Sequence, residues 1–180
     1  MNISQMTQLT HFDEQGASRM VDVSNKEITD RVAVAHAKIT MKQETFQLIV
    51  DKKIQKGDVL EVARVAGIMA AKQTSSLIPM CHPLNLSSVK IDYTNNSVDT
   101  IDIFSEVRVT GKTGVEMEAI TAASVCAITI YDMCKSADKG MVISDIHLVK
   151  KSGGKSGTFV FNENKENCGD DCKSEEETDY

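Results

Sequence analysis

Two periods organise the apolar residues of this chain, and each predicts elements. Residues 31–41, RVAVAHAKITM, are rich in Val, Ile and Ala and predict a strand, though the alanines blur the pattern. Residues 43–52 predict a short helix carrying Phe46, Leu48 and Ile49. Lys56-Gly57-Asp58 makes a turn, with Asp58 placed as the N-cap of a helix. That helix is long, running from Val59 to about Ser76, with Val62, Val65, Ala66 and Met69 at helical spacing, until Pro79 stops it. The period then becomes two. Residues 87–94 alternate through Val89, Ile91 and Tyr93, and Asn95-Asn96 signals a hairpin. Residues 98–110 alternate again, with Ile101, Ile103, Val107 and Val109 on one face and Asp102, Glu106 and Arg108 mostly on the other. Residues 111–114 form a tight loop, and a second long helix runs from Val115 to about Lys135. Residues 141–149 predict a closing strand with Val142, Ile146 and Leu148 on one face, and a glycine-rich loop succeeds it at 151–157.

Strand, helix, strand, strand, helix, strand is the split βαβ order. It predicts an α+β, ferredoxin-like domain, an antiparallel sheet with helices packed on one face. Residues 1–20 read as a loose leader and 21–160 as a single catalytic domain. Residues 161–180 read as an acidic tail too polar to fold.

Charge changes this picture only at the C-terminus. Residues 161–180 hold eight acids and two lysines, which accounts for the whole net charge of −6; the rest carries eighteen of each sign. A neutral folded part has no field to hold a polyanion, so no nucleic-acid partner is expected. Aromatics are 4% and Trp is absent, which leaves little surface for stacking bases. The five cysteines, Cys81, Cys126, Cys134, Cys168 and Cys172, are scattered and odd in number. They suit a reduced compartment and not a disulfide framework, with Cys126 and Cys134 as small core residues. The polar N-terminus has no apolar stretch of the signal-peptide kind. The longest apolar run, residues 119–131, is too short for a bilayer. The expectation is a cytoplasmic protein without a membrane partner.

Three clusters could carry chemistry. The first lies along the second long helix. Its small residues, Ala119, Ala122, Ala123, Ser124 and Ala127, predict tight packing on the sheet and against another subunit. Glu116 and Glu118 sit in its first turn, where carboxylates suit the helix dipole. Asp132 and Lys135 share a face of its last turn and could be a plain surface pair. The apolar neighbours Tyr131, Met133 and Cys134 instead suggest that Asp132 is partly buried. Glu118 and Asp132 are about 21 Å apart along the axis, so one chain cannot bring both to one small substrate. A two-fold interface could. The second cluster is Met80-Cys81-His82, held extended between Pro79 and Pro83. Cys81 beside His82 could be a metal pair, but nothing else in the folded part stands at zinc spacing, so no metal is expected. Cys168 and Cys172 are close enough to ligate a metal, yet their surroundings make them incidental. The third cluster is cationic, with Lys56, Lys112, Lys151 and Lys155 beside glycines and Lys72 nearby. Such loops turn N–H groups toward an anion, which points to a phosphate-bearing ligand. They are not Walker A loops, because the required upstream glycine is replaced by Val149 and Glu106.

These clusters fall in stretches that resemble a known family. The segments KGDVLEVARVAGIMAAKQTSSLIPMCHPL, TGKTGVEMEAITAASVCAITIYDMCK and KSGGKSG, with the opening LTHFDEQGASRMVDVSNKEITDR, are similar to the molybdenum cofactor biosynthesis protein C family over residues 7–160. The resemblance implies a cyclic pyranopterin monophosphate synthase, a lyase of molybdopterin formation. It implies conversion of 3′,8-cyclo-7,8-dihydroguanosine 5′-triphosphate to cyclic pyranopterin monophosphate and pyrophosphate by acid–base chemistry, without a cofactor. It also implies a ferredoxin-like fold and a homohexamer, a trimer of dimers with sites at the dimer interface. On the matching motifs it assigns catalysis to Asp132, Lys135 and Lys56. Substrate binding falls to Met80, Cys81, His82, Glu116, Met117, Glu118, Lys72, Lys151 and Arg31. The tail has no counterpart in the family pattern. Two other classes remain open: a carrier that binds a nucleotide-like ligand without needing Asp132, Lys135 and Lys56, and a small metal-dependent hydrolase that a chelator would inhibit.

Overall fold

A computed structural model describes residues 18–155 and 157–162. The tail from 163 onward, with Cys168 and Cys172, and most of the leader lie outside the described residues. The elements are β1 (Thr29–Thr40), α1 (Gln43–Val50), α2 (Val59–Lys72), α3 (Thr74–Leu77), β2 (Ser88–Asn95), β3 (Thr100–Gly111), α4 (Glu116–Cys134), β4 (Val142–Ser152) and β5 (Phe159–Val160). The sheet order is β2-β3-β1-β4-β5, and every pairing is antiparallel. The expected ferredoxin-like topology is therefore present, with β5 added at the β4 edge. α4 packs on the sheet, and α2 packs beside α4.

The inner sheet face is built from the alternation of β3: Ile101, Ile103, Val107 and Val109 are buried, and so is Ser105 between them. The Ser105 hydroxyl donates to the Ala119 carbonyl at 2.6 Å. That bond offsets a burial that would otherwise cost about 1–3 kcal/mol. Asp58 caps α2 as expected, accepting from the Glu61 N–H at 3.3 Å.

Four expectations are corrected. The helix from Val59 breaks at Gln73, and α3 is a separate turn. Its stripe of Val62, Val65 and Met69 faces outward, 45%, 52% and 54% exposed, while Ala63, Gly67, Ala70 and Ala71 are buried. The small residues of α4 thus meet the sheet on one side and, on the other, α2 of the same chain. A Cβ at Gly67 would overlap Ile91 and crowd the Ala122 carbonyl. In β4, Val142 and Ile146 are exposed while Ile143 and Leu148 pack on the core. The spacing of five is possible because the pairing with β1 shifts register near Asp145, whose φ is +52°. A bulge of this kind inverts the faces on either side of it. Finally, α4 is by length and composition apolar enough to cross a membrane. It is instead the central helix of this domain, with Ala119, Ala122, Cys126, Ala127 and Ile130 fully buried.

Candidate active site

One pole of the domain gathers the start of β1, the ends of β3 and β4 and the first turn of α4. Strand register explains this. Arg31 pairs with Val109 across β1 and β3, and Ala33 pairs with Lys151 across β1 and β4. The Arg31 guanidinium donates to the Gly111 carbonyl at 3.0 Å. Gly153 and Gly154, at φ +96° and +75°, fold over Arg31, and a Cβ on Gly154 would collide with its guanidinium. Lys151 reaches Glu116 at 2.9 Å. The 111–114 loop and residues 151–155 of the second glycine-rich loop thus adjoin.

Adjoining hollows of about 180, 270 and 320 Å³ lie at this pole. The middle one is lined by Met80, Cys81, His82, Glu116, Met117 and Glu118, among others. Glu118 is 4% exposed, and burial pushes its carboxyl above the ordinary range, with Glu116 adding repulsion. Burial, and then Glu118, push the Cys81 thiol up. A thiol held protonated is a poor nucleophile, so Cys81 suits contact and not covalent catalysis. The Met80-Cys81-His82 segment is not extended throughout: the Cys81 N–H donates to the Ile78 carbonyl at 3.0 Å, which makes Pro79 and Met80 the corner of a turn. Lys72 is exposed at the last residue of α2. α2 runs antiparallel to α4, as Leu60 meets Cys126 through Tyr93 while Gly67 meets Ala122. The C-terminal end of α2, with Lys72, therefore belongs to this same pole.

The other pole is the last turn of α4. Lys135 and Asp132 form an ion pair at 2.7 Å, and the Lys56 ammonium donates to the Asp132 carbonyl oxygen at 3.0 Å. Lys135 first, and Lys56 after it, hold the Asp132 carboxyl below the usual range. The expected partial burial of Asp132 is overturned: its side chain is 60% exposed. Met133 and Cys134 turn into the core, and helical rotation carries Asp132 outward. Lys56-Gly57 also does not join the other two glycine loops, because it enters α2 at the opposite end.

Sequence reasoning misses two features. Lys26 lines all three hollows, and Val21 and Val23 line the middle one. An alternation of two valines is too short a signal to find them. Tyr93 reads in the sequence only as a strand residue, yet its hydroxyl donates to the Leu60 carbonyl at 2.8 Å and meets Cys126 Sγ at 3.0 Å. Among the described residues no group of three or more His, Cys, Asp and Glu is placed to hold a metal.

Comparison with known proteins matches residues 20–154 to the model of the MoaC family. The chain belongs to the MoaC family. That match spans both poles of α4. A relative from Heliobacterium modesticaldum is 59% identical over 159 residues, 88% of this chain and 100% of its own length. One from Desulfitobacterium hafniense is 61% identical over 153 residues, 85% of this chain and 94% of its own. One from Desulforapulum autotrophicum is 58% identical over 156 residues, 86% and 96% respectively. Each is named cyclic pyranopterin monophosphate synthase.

Proposed function

We propose that this chain catalyses the cyclic pyranopterin monophosphate synthase reaction of molybdenum cofactor biosynthesis. The observation that carries this is the near-full-length likeness to relatives of that name, the shortest of these three matches covering 94% of the relative. The substrate is 3′,8-cyclo-7,8-dihydroguanosine 5′-triphosphate. Its purine-derived part becomes a pterin, and an oxygen attacking the first phosphorus displaces pyrophosphate and closes the cyclic phosphate, which makes the enzyme a lyase. Residues 21–160 are the single catalytic domain, acting in the cytoplasm.

The chemistry of the two poles supports this division of work. Asp132, kept ionised by Lys135 and Lys56, starts as a base, and Lys135, whose ammonium Asp132 stabilises, starts as an acid. Lys56 completes that unit. Glu118 and the backbone at Met117 bind the guanine-like edge, within the hollow that Met80, Cys81, His82 and Glu116 help to line. Arg31, Lys72 and Lys151 hold the triphosphate and stabilise charge on departing pyrophosphate.

A single site then requires two copies, because about 21 Å of helix separates Glu118 from Asp132. The outward stripe of Val62, Val65 and Met69, with the exposed Ile128 of α4, supplies apolar surface for such a contact. The proposed assembly is a hexamer, a trimer of dimers with sites across each dimer interface. Incubation with the cyclic dihydro-GTP, with mass spectrometry of the products, is the test. One pyrophosphate per cyclic pyranopterin, unaffected by a strong chelator, is the expected result. Tight binding without turnover would replace this reading with that of a carrier.

A further inference from the structure

We propose that Asp138 and Tyr131 are positioning residues for the acid–base group at the last turn of α4, because together they clamp the turn that follows Lys135 to its own helix and to the segment that carries Lys56. The inference rests on the function proposed above for the roles of Asp132, Lys135 and Lys56, but on the geometry alone for the clamp.

The end of α4 is closed by a run of backbone bonds. The Lys135 N–H donates to the Tyr131 carbonyl at 2.8 Å, and the N–H groups of Ala137 and Asp138 donate to the Cys134 carbonyl at 2.8 and 3.1 Å. The chain stays wound as far as Asp138, and this brings Asp138 inside, where it is 2% exposed. Its two oxygens hold different pieces of backbone. Oδ2 accepts from the Lys42 N–H at 2.8 Å across 96 residues of sequence, and Oδ1 accepts from the Gly140 N–H at 2.8 Å. These two N–H groups hold its carboxyl below the usual range, so both oxygens remain acceptors. Tyr131 makes a third tie: its hydroxyl donates to the Lys139 carbonyl at 3.1 Å. Tyr131 and Lys135 are four apart and share a face of the helix, so this bond fixes the turn on the side where Lys135 stands.

Lys42 extends the clamp to the other lysine. It heads α1, and the chain then runs through α1 to Lys56. The Lys56 ammonium returns to the Asp132 carbonyl oxygen at 3.0 Å. Segments 42–56 and 132–138 are thus joined at both ends, by Lys42 with Asp138 and by Lys56 with Asp132. The ring so closed contains all three acid–base residues. The Asp132 and Lys135 side chains are 60% and 55% exposed, so packing does little to hold them. Long side chains in water pay entropy to keep one geometry. Fixing the backbone that carries them reduces that cost, and a buried carboxylate with both oxygens spent on backbone does so.

The test uses the full chain, with steady-state kinetics on the cyclic dihydro-GTP and carbon-13 NMR titration of the Asp132 carboxyl and the Lys135 side chain. Tyr131→Phe removes only a hydroxyl and is expected to lower kcat about tenfold with KM unchanged. A loosened pair also titrates differently, because Lys135 lowers Asp132 and Asp132 raises Lys135. In Tyr131→Phe the Asp132 titration should therefore move up and the Lys135 titration down, which narrows the pH–rate profile from both sides. Asp138→Asn keeps one acceptor oxygen and turns an amino group toward a backbone N–H. It should show the same changes more strongly, with a lower melting temperature. Ser105→Ala removes a buried hydroxyl in mid-sheet, and should lower the melting temperature without moving either titration. Normal kcat and unmoved titrations in Tyr131→Phe and Asp138→Asn overturn the proposal, as does a lowered kcat with Asp132 titrating as before. If the titrations move as expected but the unaltered chain fails to convert the cyclic dihydro-GTP, the clamp stands and the synthase reading falls. If conversion is normal and both variants are silent, the reverse holds.

Discussion

The two ends of α4 carry similar residue types in opposite surroundings. At the first turn, Glu118 is buried and its carboxyl is pushed up, and the nearby lysine and arginine are tied into loops around hollows. At the last turn, Asp132 stands in solvent and its carboxyl is held down by two lysines. One end lines hollows within a single chain, whereas the other presents an exposed ion pair. A surface ion pair in water is worth little and catalyses nothing by itself. On the proposed function, the difference means that the exposed end takes its cover from a second copy, for which the outward apolar stripe on α2 offers a surface.

The sharpest way to break this comparison is to neutralise the exposed end. Asp132→Asn is expected to lower turnover by about 10²–10⁴-fold, the usual worth of a positioned acid–base group, with thermal stability unchanged. A product assay beside a melting curve checks both. Val65→Asp attacks the cover instead. It is expected to yield smaller particles in sedimentation and to lose at least about tenfold in activity, while the circular dichroism stays native. Mixing two inactive proteins, Asp132→Asn and Glu118→Gln, sharpens the point. If each site takes one end from each copy, reassembled mixtures should recover about a quarter of normal activity. No recovery would show that each chain works alone. The smallest effect concerns the buried end by itself. A carboxyl raised by burial stabilises the fold at low pH and loses that contribution as pH rises through its folded titration. Glu118→Gln should therefore raise the melting temperature at neutral and alkaline pH, by roughly 2–4 °C per kcal/mol relieved, and leave it unchanged in acid. Calorimetry across pH checks the sign.

The strand order and the inner face of β3 are legible in the sequence because alternation is a local signal that burial on one side enforces. The outward turn of Val62, Val65 and Met69 is not, because a helix that meets its neighbour through glycine and alanine hides its inner face from any hydrophobic pattern. Asp132 misleads for a related reason: neighbours in sequence on a helix point in different directions, so Met133 and Cys134 say nothing about the residue beside them. The β4 bulge is invisible because one residue with φ of +52°, here Asp145, needs no glycine to mark it. Arg31 and Lys151 come together through strand register, which no spacing in the sequence reveals, whereas Glu116 and Glu118 can be placed from helix geometry alone.

The absence of a side chain at Gly67 reaches further than its own contact. α2 leans on α4 at a separation set by one missing carbon atom, since a Cβ there would meet Ile91 and the Ala122 backbone. Lys56 enters α2 at one end and Lys72 leaves it at the other. A rod pinned near its middle transmits any displacement to both tips. Thickening the pin by a methyl group would shift both lysines together, so the two remote ends of the molecule share a single mechanical adjustment.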